Sequence, residues 1–390
     1  MKLGVPTETT AGERRVALVP AVLTQLAKTG LEVWVEKGAG ERAGYPDAEY
    51  EAQGARLALN RAELFSSAEL VVLVHAPSSA ELDLLRAGQV LVGLLNPLGA
   101  PSGVKELATR GVTAFALELL PRISRAQPMD ALTSMATLSG YKGALLAAAT
   151  LEKLYPMMIT AAGTITPARV LVVGAGVAGL QAIATSRALG AVVHAYDIRP
   201  AVKEQVESLG ARFVELGLET GKAEAAGGYA QAMGEDFYRR QREVMGKVVA
   251  ESDVVITTAL VPGQKAPVLI TEEMVRGMRP GSLIVDLAAE GGGNCALSRR
   301  GETVLAHGVT ILAPVNLPST VPHHASQMYA RNVAAFVQNL VKKGRLELNL
   351  DDPIVRETLV TREGEVVHPR VRERLGLPAP AAPLPERSPA

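Results

Sequence analysis

Cysteine is all but missing from this chain, and its scarcity narrows the field. With Cys295 alone among 390 residues, no internal disulfide framework can form, and the usage fits a reducing compartment. Net charge is missing too. Forty Lys and Arg balance 40 Asp and Glu, which leaves no electrostatic footprint for nucleic acid or anionic lipid. The opening Met1-Lys-Leu-Gly-Val-Pro-Thr-Glu lacks the long apolar core of a signal peptide. A spanning helix is missing as well. The longest stretch free of Asp, Glu, Lys and Arg, 303–330, carries Pro314, Pro318, Pro322, Asn316, His307, His323 and His324, which a bilayer core would not tolerate. These absences predict a soluble chain. Its hydrophobic content of 48% supplies core for two or three domains.

What is present centres on one stretch. A β-rich apolar run, Val170 to Val173, meets Gly174-Ala-Gly176-Val-Ala-Gly179, and a helical pattern follows. In that strand–turn–helix context the glycine spacing signifies dinucleotide binding. Gly174 permits the tight turn, Gly176 a close approach of backbone to pyrophosphate, and Gly179 a helix set close against the strand. A second glycine pattern, Gly38-Ala-Gly40 with Gly44, has the wrong spacing. Tyr45-Pro46 follows where a helix should open, so it reads as a structural turn.

Around the fingerprint the chain alternates strands and helices. Strands are expected over 2–5, 31–36, 70–75, 90–95 and 112–116, then over 170–173, 192–197, 254–258, 283–287 and 309–313. Helices are expected over 21–29, 79–85, 104–110, 178–189, 201–209, 236–250 and 272–276. This rhythm predicts an α/β fold with two Rossmann-like doubly wound parallel-sheet domains. A long Ala- and Leu-rich helix, 130–154, relaxed at Ser139-Gly140, and a second helix over 326–341 are expected to cross between them. The expected domains are 1–130 plus 315–377, 131–314, and a Pro/Ala-rich tail, 378–390, that reads as disordered. Residues 217–234, rich in Gly, Ala and Glu, read as a functional or mobile loop.

Several residues are candidates for chemistry. Asp197 ends a strand at the place where an acid accepts hydrogen bonds from both ribose hydroxyls of adenosine and repels a 2′-phosphate, which favours NAD over NADP. Arg199 complicates this, since a guanidinium there could pair with that phosphate. His323-His324 has no carboxylate or cysteine at ligand spacing and reads as a polar surface turn, so no metal is expected. His75 and His194 read as structural. Asp286 and Glu290, beside a glycine-rich turn at a strand end, are open between a ligand-facing and a structural reading. The dense polar loop Arg122 to Asp130 reads by composition as a solvated loop with Asp130 as a helix N-cap. Its place at a domain junction raises a ligand-binding reading.

Over nearly its whole length, from Gly4-Val-Pro-Thr-Glu and Glu13-Arg-Arg-Val-Ala-Leu-Val-Pro20 to about Lys343, the chain resembles the alanine dehydrogenase/transhydrogenase family. Within it the resemblance is to the NAD(H)-binding α subunits of proton-translocating NAD(P) transhydrogenases, in the split-subunit form. The most specific pieces are Pro121-Arg-Ile-Ser-Arg-Ala-Gln-Pro-Met-Asp-Ala-Leu132, the glycine fingerprint, and Gly227-Gly-Tyr-Ala-Gln-Ala-Met-Gly234. The resemblance implies that Arg122, Gln127 and Asp130 form the catalytic set beside the nicotinamide. It implies a cofactor-binding set of Gln127, Pro128, Met129, Asp130, Thr133, Gly174, Gly176, Val177, Ala178, Gly179, Asp197, Ile198, Arg199, Gly228, Tyr229, Met233, Ala259 and Leu260. Tyr229 and Met233 correspond to a mobile loop that closes over nucleotide. The alanine dehydrogenase branch carries a Lys and a His where this chain has His75 and Asn96, and an Asp where it has Glu290. Arg15 is common to both branches.

That split agrees with the chemistry. Keto-acid reduction needs a proton donor at the carbon accepting hydride, whereas hydride passing between two nicotinamides needs only positioning and exclusion of water. The implied function is hydride transfer from NAD(H) on this chain to NADP(H) on a partner, with membrane subunits carrying protons. A homodimer on the cytoplasmic side is implied as well. The alternatives are a stand-alone alanine-type amino-acid dehydrogenase and a non-catalytic NADH-sensing module.

Overall fold

A computed structural model describes residues 1–215, 235–261 and 263–378. Internal contacts divide the chain into two units, Met1–Met135 with Val321–Ala390, and Ala136–Thr320. Each unit is built on its own sheet. Residues 216–234, with the expected loop and Gly228, Tyr229 and Met233, lie outside the described residues. So does the tail from 379.

The eight-stranded sheet of the first unit runs in the order Glu365–Val366, Leu359–Arg362, Thr113–Ala116, Val90–Leu94, Leu70–His75, Lys2–Val5, Glu32–Glu36, Arg56–Ala58. From Arg56–Ala58 to Thr113–Ala116 every pairing is parallel, and the last two strands are antiparallel. Runs such as Leu70-Val-Val-Leu-Val74 are buried throughout, as both-faced burial in a parallel sheet requires. The chain enters at the centre, lays strands to one side, then returns to lay them on the other. The order therefore reverses between Lys2–Val5 and Leu70–His75. The antiparallel edge was not legible in the sequence, because its strands are four and two residues long.

The second unit repeats the plan in seven strands: Arg212–Phe213, Val192–Tyr196, Arg169–Val173, Val254–Thr257, Leu283–Asp286, Val309–Leu312, Thr303–Ala306. Its reversal lies between Arg169–Val173 and Val254–Thr257. All pairs but the outermost, Thr303–Ala306 with Val309–Leu312, are parallel. Both units thus have the doubly wound α/β plan expected from the sequence, and the crevice at each reversal is where such sheets hold ligands.

Two local expectations change. The helix Ala131–Thr150 runs unbroken through Ser139-Gly140. Gly140 is a point of contact, not of relaxation: a Cβ there would stand 2.0 Å from the Ala178 carbonyl oxygen. His323-His324 is exposed, as expected, but it forms the first turn of the helix Pro322–Leu340, and the His323 ring stacks on Tyr45 with centroids 4.5 Å apart. Among the described residues no helix is long and apolar enough to cross a membrane, and no group of three or more His, Cys, Asp or Glu is placed to hold a metal.

Candidate nucleotide-binding site

The strand Arg169–Val173 ends in Gly174 at φ +100°, a conformation L side chains rarely adopt. Its N–H donates to the Tyr196 carbonyl at 2.8 Å, and its carbonyl accepts the Thr258 hydroxyl at 2.9 Å. That carbonyl sits where a Cβ at Gly179 would go, 1.8 Å away, so only glycine lets the helix Val177–Ala188 come this close. Gly176, the N-cap, differs from Gly174 and Gly179: among the described residues, a Cβ there would meet no atom within 4 Å beyond its chain neighbours. The space before this helix N-terminus is open, and the leading N–H groups of a helix have no intrahelical acceptor. A pyrophosphate fits that space, with the amides of the first turn as donors.

Asp197 follows the neighbouring strand and is buried. Its Oδ1 accepts the Arg199 backbone N–H at 2.8 Å and Nε–H at 2.9 Å, while Oδ2 accepts the Ala175 N–H at 2.7 Å and an Arg199 Nη2–H at 2.8 Å. The carboxylate therefore ties the glycine turn to the next loop. Ile198 is half-buried beside it.

The opposite wall is the segment Thr258–Leu260. The Asn294 side chain clamps Ala259 on both sides: Oδ1 accepts the Ala259 N–H and Nδ2 donates to the Ala259 carbonyl, each at 2.9 Å. Asn294 is held in turn by Asp286, a wholly buried carboxylate. Asp286 accepts the Thr257 and Ser298 hydroxyls and the N–H groups of Ala288, Asn294 and Cys295, at 2.7–3.0 Å. This decides the alternatives left open for Asp286: it faces inward and organises the wall. Glu290 accepts the Asn316 N–H at 2.5 Å. Asn294 and Thr258 were missed in the sequence. The Gly291-Gly-Gly-Asn294 run hinted at a fixed turn, but nothing there pointed to the carbonyls they hold.

In the first unit, Arg122, Gln127, Pro128, Met129 and Asp130 share one loop, whose core is the 3-10 turn Ser124–Met129, and Thr133 stands in the first turn of the helix Ala131–Thr150 that follows. Arg122, Gln127 and Pro128 are exposed, while Met129 is buried. Asp130 caps the following helix, with Oδ1 accepting the Thr133 N–H at 2.9 Å and Oδ2 the Thr133 hydroxyl at 2.6 Å. Two anchors hold this loop. Asn332 Nδ2 donates to the Pro128 carbonyl at 2.8 Å, and Arg125 makes a forked contact with Asp352, itself the cap of the helix Pro353–Thr358.

At the strand reversal of this unit lies a charged cluster. Glu13 accepts Arg15 Nε–H at 2.8 Å and Nη2–H at 2.6 Å, and His75 Nε2 stands 2.6 Å from the same carboxylate. Burial pushes Glu13 up, but hydrogen bonds from Arg15 and His75 and the Arg15 charge outweigh it and hold the carboxyl well below the usual range. Glu8, which accepts the Val74 N–H at 2.5 Å, is driven by burial to about 7 against that bond and the pull of His75. Glu118, accepting the Leu95 N–H at 3.1 Å and the Asn96 N–H, is likewise raised by burial to about 7.

Two family models match: the N-terminal domain of alanine dehydrogenase/PNT over residues 4–139, and the C-terminal domain of the same proteins over 143–369. The chain belongs to this alanine dehydrogenase/PNT family. By identity it groups with the transhydrogenase branch. It is 49% identical to a chain of the NAD(P) transhydrogenase subunit alpha of Rhodospirillum rubrum, covering 95% of this chain and 98% of that one. It is 42% identical to the NAD(P) transhydrogenase subunit alpha of Cereibacter sphaeroides, covering 95% of this chain and 71% of the relative. A solved transhydrogenase from Sinorhizobium meliloti matches with a TM-score of 0.83 at 39% identity, over 95% of this chain and 99% of that one. Alanine dehydrogenase of Halomonas elongata is more distant, at 33% identity over 97% of each chain.

Proposed function

We propose that this chain binds NAD(H) at the glycine turn of its second unit and exchanges hydride with NADP(H) held by a partner subunit of a proton-translocating transhydrogenase. The observation that carries the reading is the open space at Gly176 between an internally locked turn and a clamped wall, in a chain 49% identical to a transhydrogenase alpha subunit. Bound nicotinamide supplies the hydride, and the acceptor ring takes no proton. The chain's own task is to grip, orient and exclude water. Gly174, Gly176, Val177, Ala178 and Gly179 hold the pyrophosphate, Asp197 and Ile198 the adenosine ribose with Arg199 at the edge of that subsite, and Ala259 and Leu260 line the opposite side. Arg122 and Gln127 position the nicotinamide. Asp130 and Thr133 fix that loop through the cap they share, which makes Asp130 a positioning group and not a proton donor. Pro128 and Met129 shape the same loop, and Gly228, Tyr229 and Met233 close over the nucleotide.

The partners of this reading are an NADP(H)-binding subunit and membrane-embedded subunits that carry protons, with the chain docked through them on the cytoplasmic side. A second copy completes a homodimer. In support, the hairpin Met158–Thr160 with Gly163–Ile165 is exposed at every strand residue and presents Met158, Ile159 and Ile165. The test is reconstitution: the purified chain, mixed with an NADP(H)-binding transhydrogenase domain, should pass hydride from NADH to thio-NADP. Tight NADH binding without transfer would leave the sensing module as the better account.

The cluster of Arg15 and His75 favours a second reading, an alanine-type dehydrogenase, since a small carboxylate suits that pair. Pyruvate, ammonium and NADH added to the chain alone should give no sustained NADH oxidation, and robust turnover would replace the first reading.

A further inference from the structure

The carboxylate expected to receive the adenosine ribose is already bonded on both oxygens by its own chain. A carboxylate offers about four lone-pair sites, and Asp197 accepts four hydrogen bonds of 2.7–2.9 Å from its own chain. Two come from the backbone N–H groups of Ala175 and Arg199, which cannot leave without unmaking the turn. The other two come from the Arg199 guanidinium, whose fork spans both oxygens. Beneath it the Asp197 side chain is 5% exposed, and the guanidinium side chain itself is 14% exposed. The fork thus covers both oxygens that a ribose diol would approach.

From this we propose that Arg199 is a resident stand-in for the ribose diol, a specificity-determining residue that nucleotide must displace. The proposal rests on the reading that the second unit binds NAD(H). Arg199 is the only one of the donors that can withdraw by side-chain rotation alone, because its stem has several rotatable bonds. Once withdrawn it remains tethered two residues from Asp197, beside the 2′ position. Its effect on the two nucleotides is then opposite. For NADH, the fork competes with the diol for the same two oxygens and weakens binding. For NADPH, the released guanidinium is a forked partner for the 2′-phosphate and offsets part of the repulsion from Asp197. Arg199 thus narrows the gap between NADH and NADPH, although Asp197 alone would widen it.

Titration calorimetry of the full chain with NADH, NADPH and ADP-ribose tests this. Wild-type chain that binds neither NADH nor ADP-ribose would overturn the nucleotide-binding reading itself. Given that binding, Arg199→Leu should tighten NADH and ADP-ribose by about tenfold, the scale of one charge-assisted hydrogen bond, while weakening NADPH. Arg199→Lys keeps the charge but cannot fork across both oxygens, so it should tighten NADH while keeping NADPH binding; it also serves if the leucine variant does not fold. Unchanged NADH affinity in the folded variants would overturn the proposal, because the fork would then not compete. Parallel weakening of NADH and NADPH would also overturn it and leave the pair as a brace for the Asp197 loop.

Discussion

The two units carry the same strand plan and fill its ligand crevice in opposite ways. At the reversal of the second sheet, the loops consist of glycine and small residues whose backbone groups are tied to one another, with open space left before Gly176. At the reversal of the first, Glu13, Arg15 and His75 pair with one another, and Glu8 accepts the Val74 and His75 backbone N–H groups. Among the described residues, one crevice is lined at its glycine turn by backbone groups tied to one another, and the other is packed with charge. Topology says where a ligand could sit, and side chains decide whether the place is free.

That contrast can be broken most severely at Gly179. Gly179→Ala puts a methyl 1.8 Å from the Gly174 carbonyl oxygen, so the second unit should lose more than about 4 kcal/mol, as backbone clashes do, and NADH binding with it. Urea unfolding and calorimetry would read both, and a stable, NADH-binding variant would refute the packing account. In the charged crevice, Arg15→Leu should cost about 3–5 kcal/mol by leaving Glu13 buried without its forked partner, visible in urea unfolding of the first unit with NADH binding retained.

Glu8 offers a test by pH. Its carboxyl is raised by burial from 4.5 to about 7, so the folded chain favours the protonated form. The resulting stability is full below about pH 4.5 and is lost as pH rises through 7, up to about 3 kcal/mol. Glu8→Gln should therefore raise the melting temperature near pH 8 relative to wild type and leave it nearly unchanged near pH 5. A uniform shift across pH would assign the effect to packing. The smallest change in stability belongs to Gly176→Ala. With no atom of the described residues beyond its chain neighbours within 4 Å of the new methyl, stability should change by less than about 0.5 kcal/mol, while NADH affinity falls about tenfold. This pairing, stable but impaired in binding, is the signature of a surface kept open for a ligand.

These features were unequally legible in the sequence. The central strands of both sheets were readable because buried parallel strands are apolar along their whole length, as in Val170–Val173 and Leu70–Val74. The glycine turn was readable because backbone geometry dictates its residues. The short edges were not, nor was the role of Gly140, since its partner is the Ala178 backbone and leaves no mark in residue type. Asn294, and the inward role of Asp286, escaped for a related reason. Their targets are backbone N–H and carbonyl groups, which every sequence has. Arg199 was visible as a charge near Asp197, but its fork across both oxygens depends on loop geometry that spacing does not specify.

The clamp on Ala259 has a kinetic meaning. Because Asn294 and Asp286 fix this wall through hydrogen bonds of the folded chain, the wall has no disorder to surrender when nucleotide arrives. Encounter with this face then requires only the release of water, which is fast compared with loop ordering. A wall held in this way asks for no rebuilding of its own backbone when a nucleotide arrives or departs.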